Sequence, residues 1–166
     1  MNLYADTNFL ARMYLAQFAS DDTDGMLEEV RDGRTGRLPL TWLLQIEVTA
    51  AWELYVFFGK QPQHPRVTAE QAAAAHADFR DDVRQGLIYQ TADISTNRLV
   101  RAAEDLALRH TAKHGFRTYD LIHVASALEL KCAEFWTFDQ RTQRLAEKEG
   151  LRVPPLLKRA AKKLHA

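Results

Sequence analysis

A single cysteine, Cys132, occurs among 166 residues, which excludes an internal disulfide and fits a reducing compartment. Net charge is also lacking. Lys and Arg together number 22, as do Asp and Glu, so no chain-wide field draws in phosphate backbones and any nucleic-acid contact must come from local patches. No apolar run is long enough to span a bilayer. The most hydrophobic stretch, LLQIEVTAAWELYVFF, carries Glu47 and Glu53 and falls short of a membrane segment. The opening residues MNLYADTNFL show no basic segment followed by an apolar core and a small-residue cleavage site, so the expectation is a cytoplasmic protein with no membrane partner. A Gly-rich phosphate loop with its lysine, a Gly-x-Ser-x-Gly elbow and a His-Glu-x-x-His pair are all missing. Their absence argues against nucleoside triphosphatase, serine hydrolase and zinc protease chemistry.

What is present is an apolar fraction of 46%, enough for a core, in a pattern that alternates short strands with helices. Asn2 to Ala5 reads as a strand ending at Asp6, and FLARMYLAQF follows with apolar residues at helical spacing. Further helices are expected from about Asp22 to Arg31, from Trp42 to Phe58, and from Thr68 to a stop at Gly86. Leu38 to Leu40 and Leu87 to Gln90 read as strands. Ser95 to about His110 and Thr118 to Lys131, capped by Thr118, read as helices. Glu134 to Phe138 is expected as a strand, Asp139 as the opening of the helix QRTQRLAEKE ended by Gly150, and Leu151 to Val153 as a last strand. This alternation predicts an α/β fold with a parallel sheet covered by helices on both faces. It is read as one domain over residues 1–156, followed by a basic tail over 157–166.

Four acids stand out. Ligands of open parallel sheets bind beyond the carboxyl ends of strands, and Asp6 and Asp139 each follow a strand and precede a helix. Taken singly, either aspartate is also a good N-cap. Glu47 has Leu43, Leu44, Ala50 and Ala51 three and four residues away, an apolar face on which a carboxylate costs several kcal/mol unless it is paired, protonated or bound to a cation. Glu53 has a similar setting, and periodicity does not choose between them. Asp120 falls in the first turn of TYDLIHVASALEL, where the helix dipole favours its ionised form and Ala125, Ser126 and Ala127 permit close packing. Four gathered carboxylates repel one another unless a divalent cation opposes them. Oxygen-only ligands select Mg²⁺ or Mn²⁺ over zinc, and one or two such ions suit phosphodiester hydrolysis.

These segments resemble the PIN-domain ribonucleases, most closely the VapC-like toxins of toxin–antitoxin modules, over nearly the whole chain. YADTNFLARMYL is similar to the family's opening strand and aspartate, which implies Asp6 as a metal ligand and Asn8 as a supporting polar residue. LLQIEVTAAWEL is similar to its glutamate helix and selects Glu47 over Glu53. RTYDLIHVASALEL implies Asp120, and FWTFDQRTQRLAEKEGLRV implies Thr137 and Asp139. The resemblance implies a three-layer α/β/α sandwich with a central parallel sheet, Mg²⁺ or Mn²⁺ at Asp6, Glu47, Asp120 and Asp139, RNA as substrate, a homodimer, and a cognate antitoxin protein that occludes the acidic pocket.

Other signals are weaker. His110 and His114 share a helix face without a nearby acid or cysteine in the sequence to complete a metal site, and His123, three residues after Asp120, either packs or orients a carboxylate. Asp93 reads as a turn or cap residue. Candidate phosphate contacts are Arg12, Arg98 and the Lys158 to Lys163 cluster. Two other functions fit the same fold: a catalytically silent PIN-like module that binds RNA or protein, and a housekeeping nuclease without an antitoxin. A phosphotransferase using Asp6 as nucleophile lacks its acid/base partner, because position 8 is asparagine.

Overall fold

The computed structural model of the chain describes residues 3–15, 21–61, 66–155 and 157–158. Among these, strand β1 (Leu3–Ala5) is followed by helices α1 (Thr7–Met13) and α2 (Asp21–Arg31), strand β2 (Leu38–Leu40), and helices α3 (Trp42–Phe58) and α4 (Ala69–Gln85). Strand β3 (Tyr89–Thr91), helices α5 (Thr96–His114) and α6 (Thr118–Glu129), strand β4 (Glu134–Trp136) and helix α7 (Gln140–Lys148) complete the order. The chain is therefore α/β with parallel pairing, as the alternation predicts. The described strands form two sheets of two strands each, β1 with β4 and β2 with β3. The chain divides into two compact units, one made of residues up to Asp6 and from Ala92 onward, the other of Thr7–Thr91.

In the unit Thr7–Thr91, β2 and β3 pair with Leu38 opposite Tyr89 and Leu40 opposite Thr91. The following helix α3 starts on Thr41, whose hydroxyl accepts the Leu44 amide at 3.2 Å, and buries Leu44, Val48 and Trp52 on one stripe. Helix α4 carries a full capping box: Thr68 Oγ1 accepts from the Gln71 amide, and the Gln71 side chain accepts from the Thr68 amide. It ends at Gly86, whose left-handed φ of 64° suits a residue without a Cβ. The core is aromatic. Trp52 meets Tyr14, Phe79 and His76 edge-on, and Phe79 meets Tyr89, geometries that the ring quadrupoles favour. Burial of Phe79 alone contributes about 1.5–3 kcal/mol. The Trp52 indole N–H is satisfied by the Ala11 carbonyl at 3.0 Å.

The other unit is built around β1 and β4, which pair in parallel with Leu3 opposite Glu134 and Ala5 opposite Trp136. All six strand residues are buried, as expected for a strand pair covered on both faces. Tyr4 stacks on Phe135 at 5.5 Å and its hydroxyl hydrogen-bonds His123 Nδ1 at 3.0 Å. His123 is buried, with its Nδ1 satisfied by that hydroxyl. Helix α6 buries Leu121, Val124, Ala125, Ser126 and Ala127 and packs between α5 and α7. Its small residues permit that approach.

Boundaries depart from expectation at several element ends: β3 lies at Tyr89–Thr91 against the expected Leu87 to Gln90, β4 stops at Trp136 against Phe138, α5 runs on to His114 against about His110, and α6 stops at Glu129 against Lys131. Thr118 is the first helical residue of α6 rather than its cap, because Asp120 reaches back to the Arg117 amide and sets the cap one residue earlier. Leu151 to Val153 makes only one bridge, Arg152 to Glu134. The ladder there is limited to the Phe135 amide on the Arg152 carbonyl and the Arg152 amide on the Ala133 carbonyl.

Candidate active site

The carboxyl ends of β1 and β4 carry the polar groups of their unit. Asp6 follows β1 directly; its amide donates to the Trp136 carbonyl at 3.0 Å and continues the ladder by one bond, and its side chain is buried. One residue beyond Trp136, the fully buried Thr137 accepts the Asp139 amide on its Oγ1 at 3.0 Å. That bond turns the chain from strand to helix. Asp139 then caps α7, its Oδ1 accepting the amides of Arg141 at 2.7 Å and Thr142 at 3.2 Å.

Asp120 arrives from α6. Its Oδ2 accepts the Arg117 amide at 3.1 Å, and its Oδ1 accepts the hydroxyl of Thr142 at 3.1 Å. Thr142 therefore touches both acids: its amide holds Asp139 and its hydroxyl holds Asp120. This buried threonine is a site residue that sequence reading passed over. The available signal was its position three residues after an N-cap aspartate, where the side chain turns back over the helix start. Gln143 beside it is also buried, and its amide donates to the carbonyls of Thr137 at 2.9 Å and Leu157 at 3.1 Å. The loop bearing Thr137 is fixed from both ends.

Glu47 and Asn8 belong to the unit Thr7–Thr91. Glu47 is half-buried and accepts a hydrogen bond from Thr7 Oγ1 at 3.1 Å on its Oε2. The face of α3 turned to the core is the Leu44, Val48 and Trp52 stripe, while Ala50 is exposed. The expectation of an apolar wall around Glu47 is therefore corrected, since one turn of spacing placed it beside that stripe and not on it. Asn8 Oδ1 is buried and accepts no hydrogen bond among the described residues. Glu53 is exposed and pairs with His76 at 2.8 Å.

Oxygen alone makes up the Asp6, Asp120 and Asp139 donor set, which suits a hard divalent cation in kind. Among the described residues, no three His, Cys, Asp or Glu side chains are arranged as the ligands of an ion. What stands assembled is the pair Asp120 and Asp139, joined through Thr142.

A cavity of about 670 Å³ opens on Asp139, with His114, Arg117, Arg141, Arg144 and Lys148 among its lining. The expected phosphate contacts lie elsewhere. Arg98 pairs with Glu129 at 2.6 Å, and Lys158 pairs with Glu147. Arg12 lies on a separate cavity of about 330 Å³ with Tyr14, Glu28 and Arg31. Residues 159–166, with most of the expected basic cluster, lie outside the described residues. The sequence offered no acid for the His110 and His114 pair, but the fold supplies one: Glu149 Oε1 stands 2.5 Å from His110 Nε2 and 2.7 Å from an Arg109 nitrogen. Arg109, the stronger influence, and His110 hold the Glu149 carboxyl below the usual carboxylate range. Asp93 is exposed, in the segment between β3 and α5. No described helix is long and apolar enough to cross a membrane. Neither the family models nor the curated proteins give a match to this chain.

Proposed function

We propose that the chain is a Mg²⁺- or Mn²⁺-dependent endoribonuclease of the PIN kind, built as a three-layer α/β/α sandwich and acting as the toxin of a toxin–antitoxin pair. The observation that carries the reading is the coupling of Asp120 and Asp139 through Thr142, at the end of a buried parallel strand pair where Asp6 also emerges. An N-cap needs only its own helix. Two acids from different helices tied to one threonine form a shared negative face, and such a face has its chemistry in binding cations.

Asp6, Asp120 and Asp139 would hold the ion, which when bound opposes the charge that develops on a phosphodiester and acidifies water. The chain's own groups do the positioning. Two amides fix Asp139 Oδ1, which leaves Oδ2 as the oxygen that would face the ion. The Thr142 hydroxyl holds Asp120 Oδ1 against drift, and Thr137 fixes the turn that presents Asp139. Pre-organisation of this sort spares the site reorganisation during reaction. Glu47 enters the proposal through the resemblance, with Asn8 as a supporting residue, as do RNA as substrate, the homodimer and the antitoxin partner.

The test is incubation of the full chain with a mixed RNA pool and Mg²⁺ or Mn²⁺, with the product ends mapped. Cleavage that EDTA stops and that Asp120→Asn lowers by about 10²-fold or more supports the proposal. Glu47→Gln separates an acid needed for cleavage from one held by Thr7 for structure. RNA binding that persists in EDTA, with no cleavage under either metal, would instead make the chain a silent binding module. Growth arrest relieved by the product of a short neighbouring reading frame distinguishes a toxin from a housekeeping nuclease.

A further inference from the structure

We propose that the cavity beside Asp139 is a strand-binding subsite, in which Arg117, Arg141, Arg144 and Lys148 grip the backbone phosphates of single-stranded nucleic acid and the His114 ring receives one of its bases. Three observations carry this inference. The cavity, about 670 Å³, is large enough for more than one nucleotide unit, and its lining sets four permanent cations against the single carboxylate of Asp139. The balance of charge there is the reverse of the neutral chain as a whole.

Pairing is the second observation. Arg34, Arg84, Arg98, Arg109, Arg152 and Lys158 all have carboxylate partners. Arg117, Arg141, Arg144 and Lys148 form no ion pair among the described residues, a state they share with cations such as Arg37, Arg80 and Arg101, but these four are gathered on one cavity. Four unpaired cations around one cavity repel one another, and a polyanion relieves that repulsion while releasing its own counterions. The Arg guanidinium, with its planar fork of donors, is the side chain best matched to phosphate oxygens.

Aromatic character is the third. The His114 ring lies 5.5 Å from Phe116, which also lines the cavity. Desolvation first, then Lys148, Lys113 and His110, holds the His114 pKa below its ordinary 6.5. A neutral imidazole at pH 7 offers a base a stacking face rather than a fifth charge. Cations interleaved with rings are the pattern by which proteins track a single strand. Inorganic anions would use the cations alone.

The inference rests on the proposed nuclease reading for its choice of RNA, but it is tested without cleavage. The full chain is titrated in EDTA with a fluorescent single-stranded RNA 12-mer, and anisotropy is followed across a salt series. The expected result for Arg141→Ala/Arg144→Ala is binding weaker by about tenfold or more, with a log–log salt slope shallower by about 1.4, or 0.7 for each lost phosphate contact. His114→Ala should weaken RNA by about fivefold and leave inorganic polyphosphate unaffected. Arg84→Ala, on α4, serves as the control that changes neither.

Cavity-dependent RNA binding in a chain that cleaves nothing under either metal sinks the nuclease reading and keeps this one. Unchanged binding in the double variant, or no binding by the wild type, overturns the subsite even if cleavage is robust. Polyphosphate bound as tightly as RNA, with no effect of His114→Ala, overturns it in favour of a general polyanion site.

Discussion

The two units both contain a pair of short parallel strands followed by helices, yet they spend polarity differently. In the β1–β4 unit the buried Tyr4–His123 bond closes the core, but a second polar set stands at the strand ends: Thr137, Asp139, Asp120 and Thr142 are connected around the starts of α6 and α7. In the β2–β3 unit the hydrogen-bonded polar cluster sits within the aromatic core. Tyr14 donates to Asp82 Oδ2 at 2.6 Å and its hydroxyl meets that of Tyr89 at 3.0 Å, beside Trp52 and Phe79. The difference teaches where to look for chemistry. Polar groups that close a core are committed to stability, whereas those gathered at strand ends keep oxygen atoms that a ligand can use.

The sharpest way to break this comparison is a crossed pair of substitutions. Trp52→Ala removes the ring at the centre of the aromatic core and should cost about 3–5 kcal/mol, read as a lower urea midpoint. Asp139→Asn retains a good helix cap and should leave that midpoint nearly unchanged, while metal-dependent RNA cleavage falls by about 10²–10⁴-fold. If Asp139→Asn unfolds the chain and spares cleavage, the contrast between the units is wrong.

A finer probe is Thr142→Val, which keeps the backbone bond to Asp139 and deletes the hydroxyl that holds Asp120. Its expected cost is about 1–2 kcal/mol. Thr142→Ser should recover most of that cost, and the cleavage rate of the proposed enzyme should fall and recover with it. A loss in stability without any change in rate would make Thr142 a structural residue only.

At neutral pH a third contrast is silent, and it appears only on the alkaline side. In the β2–β3 unit, burial, then neighbouring Tyr89 and the hydrogen bond to Asp82, raises the Tyr14 pKa far above its ordinary 10.0, and burial raises Tyr89 as well. The folded chain holds these protons more tightly than the unfolded chain, so their contribution is complete below pH 10 and is lost as pH rises beyond it. Each tyrosine adds at most about 1.4 kcal/mol per pH unit to the slope. In the β1–β4 unit, burial pushes the Cys132 thiol from 9.0 up to about 11, so its loss runs from pH 9 and levels off near 11. Tyr14→Phe should flatten the stability curve above pH 10, and Cys132→Ala should flatten it between 9 and 11. Urea titrations at stepped pH check both, and identical curves for the two variants would erase the distinction.

Much of the local structure was legible because it is local. The Trp42–Phe58 helix has the bounds that its flanks predicted, and Thr68 and Gly86 delimit α4 as their chemistry requires. Asp139 was readable as the opening of α7, and Thr137 as its supporting residue through the resemblance. α6 starts at Thr118 as expected, but its cap falls one residue earlier, at Arg117, because a backward reach from Asp120 outweighed the capping preference of Thr118. Glu47 was read onto the core face because spacing fixes which residues share a helix side, not which side the core covers.

By itself, the sequence determined the order of strands and helices and the acids that follow strands, since each depends on residues within a few positions of one another. Tertiary structure alone decided that Thr142 would bind Asp120 from 22 residues away, that Glu149 would reach His110 across 39, and that four cations would share a cavity with Asp139. The physical reason is that periodicity and capping act over a turn or two of chain. Which helix faces meet is settled by packing the whole core at once, and only then do distant polar groups acquire partners.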